Sequence, residues 1–111
     1  MENEQTYKHD EGKPKCGHML EVPNALMAMA NVAEHGASKY GKMTWPKVSA
    51  ERHLHALSRH YLQLGPDGRG RDVESLQAHL AHIMWNAAMA YELLFGTMDM
   101  NCGCKSLWEK D

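Results

Sequence analysis

The chain has 111 residues, 43% hydrophobic and 23% charged, with twelve basic and fourteen acidic residues and a formal net charge of −2. This length suits one domain with a modest core, and the near balance of charge excludes a general attraction to nucleic acid polymers or membrane surfaces. No run of about 18 apolar residues is present, and the polar start MENEQTYKHDEGK is unlike a signal peptide, so we expect a cytoplasmic protein.

The first 22 residues are polar and irregular. Lys8, Asp10 and Lys13 lie close together there, and Pro14 stiffens the exit from the group. Composition alone favours a free tail. The alternative is an arm whose two lysines contact phosphate groups.

A first helix is predicted after Val22. Pro23 suits its first turn, and either Gly36 or Gly41 can end it. Glu34 borders the predicted packing stripe of this helix. A carboxylate at that position is a buried hydrogen-bonding partner, a residue at the surface rim, or a metal ligand.

Trp45 lies in the loop between the first two predicted helices, next to Pro46. A loop tryptophan either plugs the edge of the core or forms a wall on which a base stacks. The second helix is predicted from about Ser49 to Leu64, with Ser49 as its N-cap. Its histidines at 53 and 60 share one face because they are seven residues apart.

The stretch from Asp72 to Leu94 predicts one long helix, since nothing in it breaks a helix. Its packing stripe is predicted to contain Leu76, Leu80, Ile83, Ala87, Ala90 and Leu94. Beside this stripe, His79, His82 and Asn86 lie at spacings that place them on one face, where they can point at a single object. The alternative is that the histidines only form hydrogen bonds inside a bundle and that the acids near residue 72 cap the helix.

These elements predict an all-α fold, a small bundle of three main helices with irregular N- and C-terminal arms. We divide the single domain into an arm over 1–22, a helical core over 23–95 and a tail over 96–111. Three helices of this length leave much apolar surface exposed. We therefore expect oligomerisation to complete the bundle, in a homodimer or a larger homo-oligomer.

Seven short motifs follow one another over residues 8–92. They contain Lys8, Asp10, Gly12, Lys13 and Pro14, then Glu34, Gly36, Ala37, Lys39, Tyr40 and Gly41, then Trp45, Arg59, His60, Asp72, Glu74, Ser75, His79, His82 and Asn86. In this order they resemble the phage-encoded proteins grouped as dATP/dGTP diphosphohydrolases. The chain departs from that pattern at residues 66–71, where a glycine–glutamate start is usual, and at Leu76, where a glycine is common.

The resemblance implies an all-α enzyme that splits a deoxypurine nucleoside triphosphate into the monophosphate and pyrophosphate, with Mg²⁺ or Mn²⁺ as cofactor. The implied cation ligands are Glu34, Asp72 and Glu74, and the implied catalytic residues are His60, His79 and His82. The implied nucleotide contacts are Lys8, Asp10, Lys13, Lys39, Tyr40, Trp45, Arg59 and Asn86. The cations among them would hold phosphates, and Tyr40 or Trp45 would stack on the purine. Alternatively, His79 and His82 complete a site suited to Mn²⁺, or one histidine is the general base.

Two further functions stay open. The altered acidic segment motivates a nucleotide-binding protein without chemistry, for example a phage protein that sequesters a nucleotide signal. A helical interaction protein, whose polar clusters are structural, is the other alternative.

The cysteines predict a separate structural site. Their odd number argues against a closed disulfide framework. Cys102-Gly-Cys104 and Cys16-Gly-His18 together supply three thiols and one imidazole, a legitimate set of four ligands for structural Zn²⁺. The alternative is that both segments are free ends.

Overall fold

The computed structural model describes residues 7–96, and these are organised around three α-helices. They are α1 over Pro23–Tyr40, α2 over Ala50–Leu62 and α3 over His79–Phe95, with short 3-10 helices over Cys16–Glu21 and Trp45–Lys47. α3 packs most extensively against α2 and also contacts α1. The predicted all-α bundle is therefore confirmed. Within the described range, no helix combines the length and the apolar character needed to cross a membrane.

The ends of α1 lie where proline and glycine place them. Pro23 is the first residue of α1, and Gly41 follows its last residue with a φ of 93°. The N–H of Gly41 donates to the carbonyl of Ala37 at 2.8 Å. The helix continues through Gly36. It ends at Gly41, because glycine adopts a positive φ without strain.

α2 begins directly after its predicted cap. The hydroxyl of Ser49 accepts a hydrogen bond from the N–H of Arg52 at 3.3 Å, which satisfies one of the open donors of the first turn. The helix ends at Leu62, two residues before the predicted end.

α3 begins at His79, so the prediction of one helix from Asp72 is wrong over residues 72–78. The carboxylate of Asp72 accepts from the N–H groups of Glu74 at 3.1 Å and Ser75 at 2.8 Å, and it thereby caps a tight turn. Leu76 then adopts a left-handed backbone with a φ of 64°. The chain reverses there, and the N–H of Asp72 donates to the carbonyl of Gln77 at 2.8 Å.

The face of α3 that packs inward is the one that carries the histidines. His79 is 4% exposed and Asn86 is 7% exposed, whereas Leu80 is 49% and Leu94 is 52% exposed. The predicted packing stripe is therefore wrong at its three leucines and at Ala87, whereas its members Ala90 and Ile83 are buried and half-buried. Apolar residues lie on several faces of α3, so periodicity does not choose between them. The histidines can be buried because they hydrogen-bond with one another and with the preceding turn.

α2 likewise buries a histidine and exposes larger apolar residues. His53 is buried, whereas Leu54 and Tyr61 are exposed. The buried hydrophobic residues of the described range are Val32, Ala81, Met89 and Ala90. The core is therefore small, and polar side chains form part of the contact between α2 and α3.

Candidate functional site

Three imidazole rings meet between α2 and α3. His60 lies near the end of α2, His79 is the first residue of α3, and His82 follows about one turn later. The Nδ1 atoms of His60 and His79 are 2.8 Å apart, a hydrogen bond in which one ring donates and the other accepts. The rings of His60 and His82 stack in parallel, with their centroids 4.3 Å apart and their planes 6° apart. These three side chains form the histidine cluster.

The loop between α2 and α3 brings a carboxylate to this cluster. His60, Asp72 and His79 each offer a ligand atom, and these atoms all lie within 4.8 Å of one another. In residues 7–96 this is the set of histidine, cysteine and acidic side chains with the spacing to hold a metal ion.

Gly70 closes the loop that carries Asp72. Its N–H donates to the carbonyl of Leu64 at 2.9 Å, and its carbonyl accepts from the N–H of His79 at 2.8 Å. A Cβ at this position would lie 2.7 Å from the carbonyl oxygen of Gln63 and 2.8 Å from that of Leu64. Only glycine permits this approach, which returns the chain to the start of α3.

The surroundings of His60 and His82 favour neutral imidazoles, and those of Asp72 favour an ionised carboxylate. Burial lowers the pKa of His60, and the neighbouring rings of His82 and His79 lower it further. Burial also lowers the pKa of His82 by more than Asp72 raises it. Burial raises the pKa of Asp72, but hydrogen bonds from Ser75 and the backbone N–H of Glu74, together with the nearby ring of His82, outweigh this effect, so the pKa of Asp72 is below its ordinary value. At neutral pH His60, His82 and Asp72 therefore have the protonation states of metal ligands or of a general base.

Ser75 is a residue of the site to which the sequence assigned no role. Its hydroxyl lies 2.7 Å from Nε2 of His82 and also accepts from the N–H of Gln77 at 3.2 Å. It therefore fixes the ring of His82 against that of His60. The signal available in the sequence was the spacing of Asp72 and Ser75, which suits a turn capped by aspartate.

The remaining predicted cation ligands lie outside the three-ligand set. The carboxylate of Glu74 accepts a hydrogen bond from the ammonium group of Lys39. This pairing raises the pKa of Lys39 and lowers that of Glu74. Glu34 is exposed on α1. Of the three predicted carboxylate ligands, the set includes Asp72 and leaves out the other two.

The two aromatic side chains predicted to stack on a base have different surroundings. Trp45 makes edge contacts with the rings of Trp85 at 6.3 Å and His53 at 6.4 Å. Its carbonyl also lies 3.0 Å from Nε2 of His53, so Trp45 plugs the edge of the α2–α3 pair. Tyr40 is 67% exposed, and the ammonium group of Lys39 lies 5.2 Å from the centroid of its ring.

The other predicted nucleotide contacts are distributed between the arm and the helices. Lys8, Asp10 and Lys13 are exposed, and the N–H of Lys13 donates to the carbonyl of Asp10 at 3.1 Å. Arg59 is exposed beside His60 on α2. Asn86 is buried and donates through Nδ2 to the carbonyl of His82 at 2.9 Å, so its amide is used within α3.

The predicted zinc ligands are only partly within the described range. Cys16 is exposed at the start of the first 3-10 helix, and Nδ1 of His18 lies 2.7 Å from a carboxylate oxygen of Glu21. Cys102 and Cys104 lie outside residues 7–96. The structural zinc site stays a prediction.

The chain was compared with known protein families. The family described as "dATP/dGTP diphosphohydrolase, N-terminal" matches residues 3–101, which is most of the chain and contains the whole histidine cluster. No curated protein and no solved structure matches significantly.

Proposed function

Because the chain belongs to the family of dATP/dGTP diphosphohydrolase N-terminal domains, we propose that it hydrolyses dATP or dGTP to the monophosphate and pyrophosphate with a divalent cation. The family description supports a hydrolase of nucleotides. The observation that carries the proposal is the convergence of His60, His79 and His82 with Asp72 at the α2–α3 contact. This arrangement supplies a carboxylate whose pKa is lowered, and imidazoles at His60 and His82 whose pKa values burial lowers.

Cleavage between the α and β phosphates requires an activated water molecule and neutralisation of several negative charges. A bound Mg²⁺ or Mn²⁺ lowers the pKa of water and offsets phosphate charge. Asp72 and a ring of the histidine cluster would hold the ion. A neutral imidazole within reach of the attacking water accepts its proton, and His82 suits this role because Ser75 fixes its orientation.

The cations around the cluster are suited to hold phosphate groups. Lys39 is paired with Glu74 on an exposed surface, and a triphosphate offers it a more highly charged partner. Arg59 directly precedes His60 on α2 and is exposed. We assign the stacking role to Tyr40 rather than Trp45, because Tyr40 has the exposed ring and Trp45 packs against Trp85.

Incubation with dATP, dGTP and their ribose counterparts in Mg²⁺ or Mn²⁺ tests the proposal. Chromatography should detect the deoxynucleoside monophosphate together with pyrophosphate. Asp72→Asn should lower kcat by about 100-fold or more, the scale of a lost catalytic group. The matched control is His55→Ala, since His55 is exposed on α2 and pairs with Glu51. Absence of product with every nucleotide and both ions would contradict hydrolysis.

One observation favours a second candidate, a nucleotide-binding protein without chemistry. Glu74 is engaged by Lys39, which leaves Asp72 as the carboxylate of the three-ligand set. Calorimetry that finds tight binding of dATP or dGTP without turnover would favour this candidate. Neither binding nor turnover would favour a structural helical protein.

A further inference from the structure

We propose that His60, Asp72 and His79 form a preorganised site for a first-row transition-metal dication, such as Mn²⁺, Co²⁺ or Zn²⁺. The ion would bind before any nucleotide and in preference to Mg²⁺. The role of this ion in catalysis rests on the proposed hydrolysis, whereas its binding does not. The proposal differs from an acidic Mg²⁺ site, in which Glu34 and Glu74 would share the ion with Asp72.

The distance between the Nδ1 atoms of His60 and His79 is the first observation that supports this site. Two nitrogens bound to one ion at about 2.1 Å lie about 3.0–3.4 Å from each other. The Nδ1 atoms of His60 and His79 are 2.8 Å apart, which is close to this spacing, and an ion would bind once the two rings turn so that both lone pairs meet at one point. In the metal-free chain a proton lies between the two nitrogens, and an ion would take its place. The carboxylate of Asp72 completes the set within 4.8 Å.

The chemistry of the donors selects the class of ion. Imidazole nitrogen suits zinc, iron, nickel and copper, and mixed imidazole–carboxylate sets also bind manganese and cobalt. Mg²⁺ prefers oxygen ligands in a near-ideal octahedron and retains several waters. With two imidazoles and one carboxylate, the set offers Mg²⁺ only one favoured protein ligand. A transition ion can use all three.

Separate contacts hold each ligand in place without an ion. The carboxylate of Asp72 accepts from two backbone N–H groups of its own turn. The ring of His60 stacks on His82, and the ring of His82 is fixed by Ser75. His79 is 4% exposed, and its backbone N–H donates to the carbonyl of Gly70. The site therefore needs little rearrangement to bind an ion, which favours loading in the absence of substrate.

Mn²⁺ alone is the first probe. The untagged chain of 111 residues is stripped with EDTA and titrated with Mn²⁺, and electron paramagnetic resonance measures the loss of the free-ion signal. We expect about one Mn²⁺ per chain, displaced by Zn²⁺ or Co²⁺ and retained in a large excess of Mg²⁺. Equal competition by Mg²⁺ would overturn the proposal.

Two variants and one control locate the ion. Asp72→Asn keeps an oxygen that accepts hydrogen bonds from the backbone N–H groups but loses the negative charge. His60→Ala removes a ring nitrogen. Each should weaken Mn²⁺ binding by about 10-fold or more, with circular dichroism confirming the helices. His55→Ala, on the same helix as His60, should bind as the unaltered chain does. Unchanged binding in both site variants would overturn the proposal.

The cysteines require their own control, because thiolates bind Co²⁺ and Zn²⁺ strongly. In the triple variant Cys16→Ser, Cys102→Ser, Cys104→Ser, the visible spectrum of bound Co²⁺ should persist and contain no thiolate charge-transfer band. Loss of all Co²⁺ binding in this variant would overturn the proposal. An additional thiolate band in the unaltered chain alone would indicate the separate zinc site predicted at the chain ends.

The binding and hydrolysis experiments fail independently. Mn²⁺ bound without turnover of any nucleotide supports the ion site and contradicts the proposed hydrolysis. Mn²⁺ bound only when dATP or dGTP is added overturns the preorganised site and leaves the hydrolysis intact.

Discussion

Leu76 adopts a left-handed backbone, with a φ of 64°, although its side chain is 69% exposed. Its Cβ is strained in this conformation by about 1–2 kcal/mol, and an exposed side chain recovers little of that by packing. Its carbonyl accepts from the guanidinium group of Arg71 at 3.1 Å, which helps to hold the turn beside Asp72. The strain is therefore imposed by the loop and is not relieved by the side chain.

Leu76→Gly should raise the free energy of unfolding by about 1 kcal/mol, because glycine tolerates this backbone without strain. Urea denaturation of the metal-free protein measures the change. Leu76→Ala is the matched control, since it keeps the Cβ and the strain. An equal gain in both variants would show that the leucine side chain, and not its backbone, is unfavourable.

The histidine cluster should make the metal-free protein less stable in mild acid. His60 and His82 have pKa values below 6.5 in the folded chain because of burial and neighbouring charge. The unfolded chain therefore binds protons on these rings at a higher pH than the folded chain does. Above pH 6.5 both states are neutral and stability is retained. As the pH falls from 6.5 through the folded pKa values, stability is lost.

Urea denaturation of EDTA-treated protein between about pH 7.5 and pH 5.5 measures this loss. His60→Gln should flatten the pH dependence, and His55→Gln on the exposed side of α2 should leave it unchanged. A steeper dependence in His60→Gln would contradict the assignment.

At the scale of the elements, the loop between α2 and α3 depends on Gly70. Gly70→Ala should lower the free energy of unfolding by about 1–3 kcal/mol, because its Cβ would meet two backbone carbonyls that cannot easily move. It should also weaken ion binding, since Asp72 follows in the same loop. Thermal denaturation and the Mn²⁺ titration measure the two effects.

Gly36→Ala is the matched control for that substitution. Gly36 lies inside α1, and a Cβ there would have no atom within 4 Å apart from its chain neighbours and the nearby backbone of α1 itself. Alanine should therefore stabilise the protein by up to about 1 kcal/mol through helix propensity. Similar destabilisation by both substitutions would mean that the contacts of Gly70 are not the cause.

The sequence predicts those elements whose ends are set by local chemistry. Pro23 and Gly41 bound α1, and Ser49 caps α2, as expected from their residue types. The start of α3 was predicted wrongly, at Asp72. The turn there is stabilised by contacts across the loop, and a helix-capping pattern does not reveal such contacts. The spacing of His79 and His82 did predict their common face, but their contact with His60 depends on the packing of two helices.

At the scale of the molecule, an apolar stripe on α3 remains exposed within the chain. Leu80, Met84, Ala87, Tyr91 and Leu94 follow one another at spacings of four and three residues. All but the half-buried Met84 are exposed. Such a heptad-like seam is what a second helix packs against, and the buried hydrophobic core of the described range is small. We propose that a second copy of the chain covers this stripe in a homodimer.

Light scattering at tens of micromolar should therefore give about twice the mass of one chain. Leu80→Arg should shift the protein to a monomer, because it places a charge in the seam. Leu62→Arg is the control, since Leu62 is 83% exposed at the end of α2 and lies off the stripe. A monomer in the unaltered protein, or dissociation by Leu62→Arg alone, would contradict this interface.

Because the histidines are buried between α2 and α3, binding of an ion to them is coupled to folding by mass action. A ligand that binds these rings only in the folded chain adds a free energy of RT ln(1 + [L]/Kd), about 2.7 kcal/mol at 100 times Kd. The melting temperature would then rise with the concentration of free ion, and a chelator would reverse the rise. Hydrogen exchange of the α3 amides would slow in parallel, since opening the helix pair would require release of the ion.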